Sequence, residues 1–176
     1  MSKSTDQNKK RVRIEEIMSK GLVTLSADST AFDAAKEMSA KVISSIITTD
    51  TDKTVGIVTE RDLVKQVCAK DLLSSKTPLI AIMSSPLITI KASSSVSEAA
   101  DMMLQYNVRH LLIIDDKDNA DKPLGIITPV DFTRYQKHVA DEDKEAIQKV
   151  LQKDMASEVG ISSSSSVHFE DGLESS

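Results

Sequence analysis

Two Thr-x-x-Asp pairs carry the side chains best suited to chemistry, and each pair lies where an aliphatic run gives way to helical spacing. They are Thr59 with Asp62 and Thr128 with Asp131. A threonine and an aspartate at this spacing are typical of a helix N-terminus, where the hydroxyl accepts a hydrogen bond from a first-turn amide and the carboxylate interacts favourably with the helix dipole. Free amides at such termini also bind phosphate. A helix cap and a ligand-binding role are therefore both open for each pair.

These pairs belong to a longer pattern that the sequence repeats. Ile17-Met18-Ser19 recurs as Ile82-Met83-Ser84, and the segment from Gly56 to Asp62 recurs as the segment from Gly125 to Asp131. The spacing between the copies increases only in the polar stretch 116–123, which is typical of a lengthened turn. We interpret the two glycines as turn residues. The pattern predicts two copies of one supersecondary unit, and since neither copy is large enough to bury much surface alone, they should pack on each other.

Each copy has the order strand, helix, strand, strand, helix. The fold class is therefore α/β (α+β), with two β-α-β-β-α repeats. We expect the first helix to bury Phe32, Ala35 and Met38, and its counterpart to bury Ser97, Ala100 and Met103 together with Val96 and Ala99.

The chain divides into five segments by composition and pattern. These are a disordered basic arm at 1–11, repeat 1 at 12–72, repeat 2 at 73–139, an amphipathic helix at 140–160 and a disordered Ser-rich acidic tail at 161–176. The amphipathic helix has an apolar stripe that must cover either the repeats or a second subunit. Its members are Ile147, Val150, Leu151 and Met155. The basic arm favours a solvated tail over a nucleic-acid contact.

Composition excludes several classes of function. The net charge of the 176 residues is −5, which makes nucleic-acid binding an unfavourable prediction. Apolar runs are only strand-length, so we expect no membrane span. The single cysteine, Cys68, favours a reducing compartment and a cytoplasmic protein. His110, His138 and His168 have no metal-ligand spacing. With no catalytic constellation in the sequence, we expect neither an enzyme nor a metal or required cofactor.

The whole repeated string resembles a known family. The Ile-Met-Ser opening, the paired alanines before a methionine, the strand that ends in Asp and the Gly-h-h-Thr-x-x-Asp segment together resemble the CBS domain, and two in tandem resemble a Bateman module. The resemblance covers about residues 12–139. It implies two repeats packed sheet against sheet with approximate twofold symmetry, usually as a homodimer. Clefts between such repeats often hold AMP, ADP, ATP or S-adenosylmethionine.

The resemblance implies a first cleft with cations on its far wall. The aspartate of the Thr-x-x-Asp pair accepts both ribose hydroxyls, while the threonine and the helix amides approach phosphate. The implied residues are Thr59, Arg61, Asp62, Val108, Arg109 and His110. Arg109 carries a permanent charge and His110 adds a second near neutral pH, so we expect this cleft to prefer phosphorylated ligands.

The second implied cleft has no such cations. It is formed by Thr128 and Asp131 and is faced by Ile43, Ser44 and Ser45. We expect this cleft either to be empty or to accept a nucleoside without a strong phosphate contact.

Three classes of function stay open. We expect a non-catalytic regulatory module, such as an energy sensor, that binds an adenosine ligand and signals through a conformational or assembly change to a protein partner. AMP is the ligand that we expect first. The alternatives are a purely structural dimerisation module with unoccupied clefts, and a nucleic-acid binder that uses the basic arm.

Overall fold

The computed structural model describes residues 12–117, 122–135 and 141–159. The predicted disordered arm and the Ser-rich tail lie outside the described residues, as do His138 and His168.

The predicted order of elements is present in both repeats. Repeat 1 contains β1 (Thr24–Ser26), α2 (Ala31–Lys41), β2 (Ser45–Asp50), β3 (Lys53–Thr59) and α3 (Glu60–Asp62), which continues as a π-helical turn (Leu63–Val67) and a 3-10 turn (Cys68–Lys70). Repeat 2 contains β4 (Thr89–Lys91), α4 (Val96–Tyr106), β5 (Leu111–Ile114), β6 (Gly125–Ile127) and α5 (Pro129–Tyr135). A short helix, α1 (Ile14–Ile17), precedes β1, and α6 (Asp141–Val159) follows the repeats. Two further 3-10 turns (Ser74–Lys76 and Leu79–Ala81) precede β4.

The two repeats pack sheet against sheet. Each sheet has three strands, with the first strand parallel and the third antiparallel to the middle one. Ile47 lies opposite Ile57 in the first sheet, and Leu112 lies opposite Ile126 in the second. These four side chains form one buried cluster. Because residues on one face of a sheet alternate with those on the other, this cluster fixes which faces meet. The predicted mutual packing of the repeats is confirmed.

The third strand of each repeat pairs with the segment that precedes the first strand of the other repeat. Ser19 and Ile126 exchange backbone hydrogen bonds of 2.9 and 3.0 Å, and Ile57 and Ser84 exchange bonds of 3.1 and 2.8 Å. Met18 of the first segment lies against repeat 2, next to Gly125. The repeated Ile-Met-Ser motif therefore joins the two sheets.

The repeated glycines are required by close approach, and our interpretation of them as turn residues is wrong. Gly56 lies inside β3, and its φ is not positive. A Cβ on Gly56 would lie 2.5 Å from Met83 Sδ, and one on Gly125 would lie 2.7 Å from the Ser19 carbonyl oxygen. A side chain at either position would push the Ile-Met-Ser segment away from the sheet.

The buried face of α2 differs from the predicted one. Ala31, Ala34 and Met38 are buried, whereas Phe32 is 53% exposed and Ala35 is exposed. The helical spacing of Phe32 with Ala35 and Met38 suggested that Phe32 is buried, but the helix instead turns its small alanines toward the sheet. In α4 the buried residues are Val96, Ala99, Ala100 and Met103, so only Ser97 of the predicted set is not buried.

Both long repeat helices end in a left-handed residue, but only one end has a suitable side chain. α2 ends at Val42 with φ 54° and ψ 50°, and α4 ends at Asn107 with φ 54° and ψ 41°. Asparagine adopts this conformation readily, whereas a β-branched residue is strained in it. Val42 is also 92% exposed, so no packing offsets the strain.

The C-terminal helix covers repeat 2. Ile147 and Val150 are buried in the core of that repeat and Leu151 packs at its edge. Met155, which we predicted in the same stripe, is 66% exposed. The apolar contact of α6 therefore ends near Leu151, a full turn earlier than the sequence pattern suggests.

Candidate functional site

A cleft of about 420 Å³ lies between the repeats on the side of the first Thr-x-x-Asp pair. It is lined by Ser44, Ile57, Thr59, Glu60, Arg61, Asp62, Val64, Ser84, Asn107, Val108, Arg109 and His110. The end of β3 and the start of α3 supply one wall, and the segment between α4 and β5 supplies the other. All six residues expected in the first cleft come together here.

Thr59 and Asp62 form a reciprocal helix cap. Thr59 donates its backbone N–H and its hydroxyl to Asp62 Oδ2, at 2.9 and 2.7 Å, and its Oγ1 accepts from the Asp62 N–H at 3.2 Å. Within the described residues, no hydrogen bond engages Asp62 Oδ1. The cap therefore uses one carboxylate oxygen and leaves the other as an acceptor at a half-buried position.

The helix amides contribute less than the sequence suggested. The Glu60 N–H donates to the Ser44 carbonyl oxygen at 3.0 Å, so one first-turn amide is already used. Glu60 also adds a carboxylate to the cleft wall. An anionic ligand here depends on the arginine side chains more than on the helix terminus.

Arg109 forms an ion pair with α6. Its Nη1 lies 2.7 Å from Asp154 Oδ1, and the side chains are 31% and 20% exposed. Arg109 also lines an adjoining cavity of about 60 Å³, which Asp154, Lys153 and Met103 help to form. The guanidinium therefore lies between the cleft and the end of α6. No pattern in the sequence predicts this contact, since it depends on where α6 packs.

His110 is neutral at physiological pH, so our expectation of a second charge near neutral pH is wrong. Burial and the neighbouring Arg109 guanidinium lower the pKa of His110 to about 4, and the Asp62 and Asp154 carboxylates oppose that shift only in part. Burial disfavours the charged imidazolium, and a nearby cation disfavours it further. The imidazole is therefore a hydrogen-bonding group here, and the arginines supply the positive charge.

Several lining residues were not predicted. Ile57 and Val64 add apolar surface, whereas Ser84 and Asn107 add polar groups. Ser84 belongs to the repeated Ile-Met-Ser motif, so the repetition was a usable signal for it. Asn107 follows α4 as its left-handed cap, and its place in the cleft follows from that turn.

The second Thr-x-x-Asp pair lies in a more closed environment. Asp131 is 4% exposed, and its Oδ2 accepts from the Thr128 N–H and hydroxyl, both at 2.8 Å. The Ser19 hydroxyl donates to Asp131 Oδ1 at 2.7 Å, and Arg134 Nη1 lies 3.6 Å from the same oxygen. Both carboxylate oxygens are thus engaged. Pro129 offers no first-turn amide.

The residues expected opposite this second pair lie beside the first one. Ser44 lines the first cleft, Ser45 pairs with Thr59 across β2 and β3, and Ile43 packs against the core of repeat 1. Their contact with a ligand at Thr128 and Asp131 stays a prediction.

Other site types have little support in the described parts of the chain. No group of three or more His, Cys, Asp or Glu residues there could hold a metal ion. None of the described helices has the length and apolar character that a membrane crossing requires.

The fold and the cleft define a class of protein in which two β-α-β-β-α repeats pack sheet to sheet around an inter-repeat site. The sequence profile of the CBS domain matches residues 14–69 and 79–138. The chain therefore belongs to the CBS-domain family and carries two CBS domains in tandem, as a Bateman module does. The predicted family and fold class are confirmed.

Individual relatives agree with this assignment. The protein MK0525 of Methanopyrus kandleri is 31% identical over 139 residues, which cover 78% of this chain and 69% of the relative. The CBS domain protein TA0289 of Thermoplasma acidophilum has a similar fold, with a TM-score of 0.68 at 22% identity over 81% of this chain and 77% of that one. The CBS domain protein PAE2072 of Pyrobaculum aerophilum, solved in complex with AMP, gives a TM-score of 0.61 at 24% identity over 69% and 90%.

Proposed function

We propose that this chain is a non-catalytic regulatory module that binds an adenosine nucleotide in the first cleft. The observation that carries the proposal is the pairing, across one cleft, of an aspartate with an open carboxylate oxygen and two arginines from different repeats. A cleft of about 420 Å³ is within the size range of small-molecule sites.

Each wall of the cleft has a distinct role in this proposal. Asp62 Oδ1 accepts the ribose hydroxyls, and Arg61 and Arg109 hold the phosphate through charge-assisted hydrogen bonds. Ile57 and Val108 supply apolar surface for the adenine ring. AMP is the ligand that we favour, and the AMP complex of PAE2072 supports that choice. S-Adenosylmethionine has a single anionic group, the methionine carboxylate, beside a cationic sulfonium and a cationic ammonium, so it would gain less from the arginines than a nucleotide does.

We propose that the second cleft binds weakly or not at all. A ribose at Asp131 would have to displace the Ser19 hydroxyl, which lies 2.7 Å from Oδ1. This exchange replaces one hydrogen bond with another and gains little. The asymmetry between the clefts therefore arises from the carboxylates as well as from the cations.

Regulation follows if the ligand changes the relative position of the repeats. Asp62 belongs to repeat 1 and Arg109 to repeat 2, so a nucleotide that contacts both favours one arrangement by its differential affinity.

We propose a cytoplasmic homodimer with a protein target. The dimer contact that we favour is the exposed face of α2, at Phe32, Ala35 and Ser39, because α6 covers α4. Light scattering of a monomer at micromolar concentration would contradict the dimer.

Titration calorimetry tests the ligand site. We expect wild-type protein to bind AMP, ADP or ATP more tightly than adenosine, and S-adenosylmethionine weakly. Asp62→Ala should abolish binding, while the matched variant Asp131→Ala should leave the main site intact. If no adenosine ligand gives heat, the structural alternative is favoured. Salt-dependent binding of RNA or DNA would favour the nucleic-acid alternative.

A further inference from the structure

Residues 153 and 154, near the end of α6, make polar contacts with repeat 2. Beyond the last apolar contacts, Gln152, Lys153 and Met155 are exposed. Polar contacts in this part of the helix join Asp154 to Arg109 at 2.7 Å and Lys153 Nζ to the Leu104 carbonyl oxygen at 3.4 Å. One of these partners, Arg109, is also a wall residue of the first cleft.

We propose that Asp154 competes with the ligand phosphate for Arg109, so that nucleotide binding and docking of the end of α6 oppose each other. The proposal rests on the proposed function of the first cleft and names the regulation of that site. Asp154 acts here as a specificity-determining residue that lies outside both repeats.

The geometry favours competition. Arg109 borders the cleft on one side and the smaller cavity on the other, and Asp154 reaches it from the smaller cavity. The Asp154 carboxylate offsets the charge of Arg109, one of the two arginines that line the cleft. A phosphate bound to the same guanidinium would lie close to that carboxylate. The phosphate and the Asp154 carboxylate would repel each other, because two anions that share one guanidinium are close together and partly buried. Arg109 therefore interacts more strongly with the phosphate when Asp154 moves away.

The competition has a consequence for signalling. Binding couplings are reciprocal, so if docked Asp154 weakens phosphate binding by some factor, bound phosphate weakens docking by the same factor. Adenosine has no phosphate and does not contest Arg109. A phosphorylated ligand therefore releases the last turn of α6 and an unphosphorylated one does not, which makes α6 a reporter of the phosphate.

Calorimetry of Asp154→Asn with AMP and with adenosine tests the proposal. Because asparagine keeps the shape of the side chain and removes its charge, we expect AMP to bind about tenfold more tightly and adenosine to bind as in the wild type. Glu145→Gln is the matched control, since it removes a carboxylate from the same helix whose partner, Lys149, is exposed. In an Arg109→Ala background, Asp154→Asn should have no effect on AMP.

The opposite result would identify Asp154 as a residue that positions Arg109. AMP affinity that falls or stays unchanged in Asp154→Asn, while the wild type binds AMP, overturns the competition and leaves the proposed function intact. If neither protein binds AMP or adenosine, the proposed function fails and the inference fails with it. Hydrogen exchange of wild-type protein gives an independent readout, because AMP should accelerate exchange in residues 151–159 and adenosine should not. Equal exchange with both ligands would also overturn the proposal.

Discussion

His110 should make the protein less stable as the pH falls from 7 to 5. Its pKa is about 4 in the folded chain, against an ordinary value of 6.5. Between these two values the unfolded chain binds a proton that the folded chain does not, so acid favours the unfolded state. Stability from this group is fully present above about pH 6.5 and is lost as the pH falls toward 4. The charged groups that set this pKa after burial are Arg109, Asp62, Asp154 and Arg61.

The size of the loss follows from the difference in pKa. The difference between a pKa of 6.5 and one of about 4 corresponds to roughly 3 kcal/mol in full. At pH 5 a little more than half of this stability is lost, because the pH has passed only part of the way between the two values. Because the imidazole is only partly buried, we expect the step from pH 7 to pH 5 to cost about 1–2 kcal/mol. This contribution should be absent in His110→Gln, which keeps a polar side chain that does not titrate.

Urea unfolding of the wild type and of His110→Gln, each at pH 7 and pH 5, measures this loss. Other groups titrate in the same range, so the informative quantity is the pH-dependent change in the wild type minus that in the variant. An NMR titration of the imidazole should give a midpoint near pH 4. If the two proteins lose equal stability, or if the midpoint lies near 6.5, then His110 is not held neutral and the electrostatic account of the cleft is wrong.

Four further substitutions test three separate parts of the structure. Val42→Asn should raise the free energy of unfolding by about 1 kcal/mol, because asparagine tolerates the left-handed conformation, and the reciprocal Asn107→Val should lower it. Equal stability of Val42→Asn and the wild type in urea would refute the strain. Gly56→Ala should lower stability by about 1–3 kcal/mol through its clash with Met83; a melting temperature at or above that of the wild type would contradict the close approach. Arg109→Ala should weaken AMP binding about tenfold in calorimetry and leave adenosine unaffected, and an equal loss for both ligands would exclude a phosphate contact.

The sequence could predict what depends on local pattern and repetition. The two repeats, their order of strands and helices, and the helix caps at Thr59 and Thr128 all follow from signals within a few residues. No local signal predicts that Asp62 and Arg109 meet in one cleft. That prediction came from the resemblance to a family whose packing is known.

What the sequence could not predict depends on packing between distant segments. The need for glycine at position 56 comes from Met83 of the other segment, and the neutral state of His110 comes from burial and from Arg109. Asp154 reaches Arg109 only because α6 docks on repeat 2. Phe32 was misplaced because helical spacing alone cannot show that the helix packs on its sheet through alanines. Each error concerns a contact between segments that the sequence pattern does not relate.

A crystal structure of the protein grown with AMP tests the central claim most directly. We predict AMP in the first cleft, with the ribose hydroxyls on Asp62 Oδ1 and the phosphate on Arg109. The Ser19 hydrogen bond to Asp131 should be unchanged in the same crystal, because the second cleft does not compete for the ligand. AMP bound only beside Thr128 and Asp131, with the first cleft empty, would contradict the account.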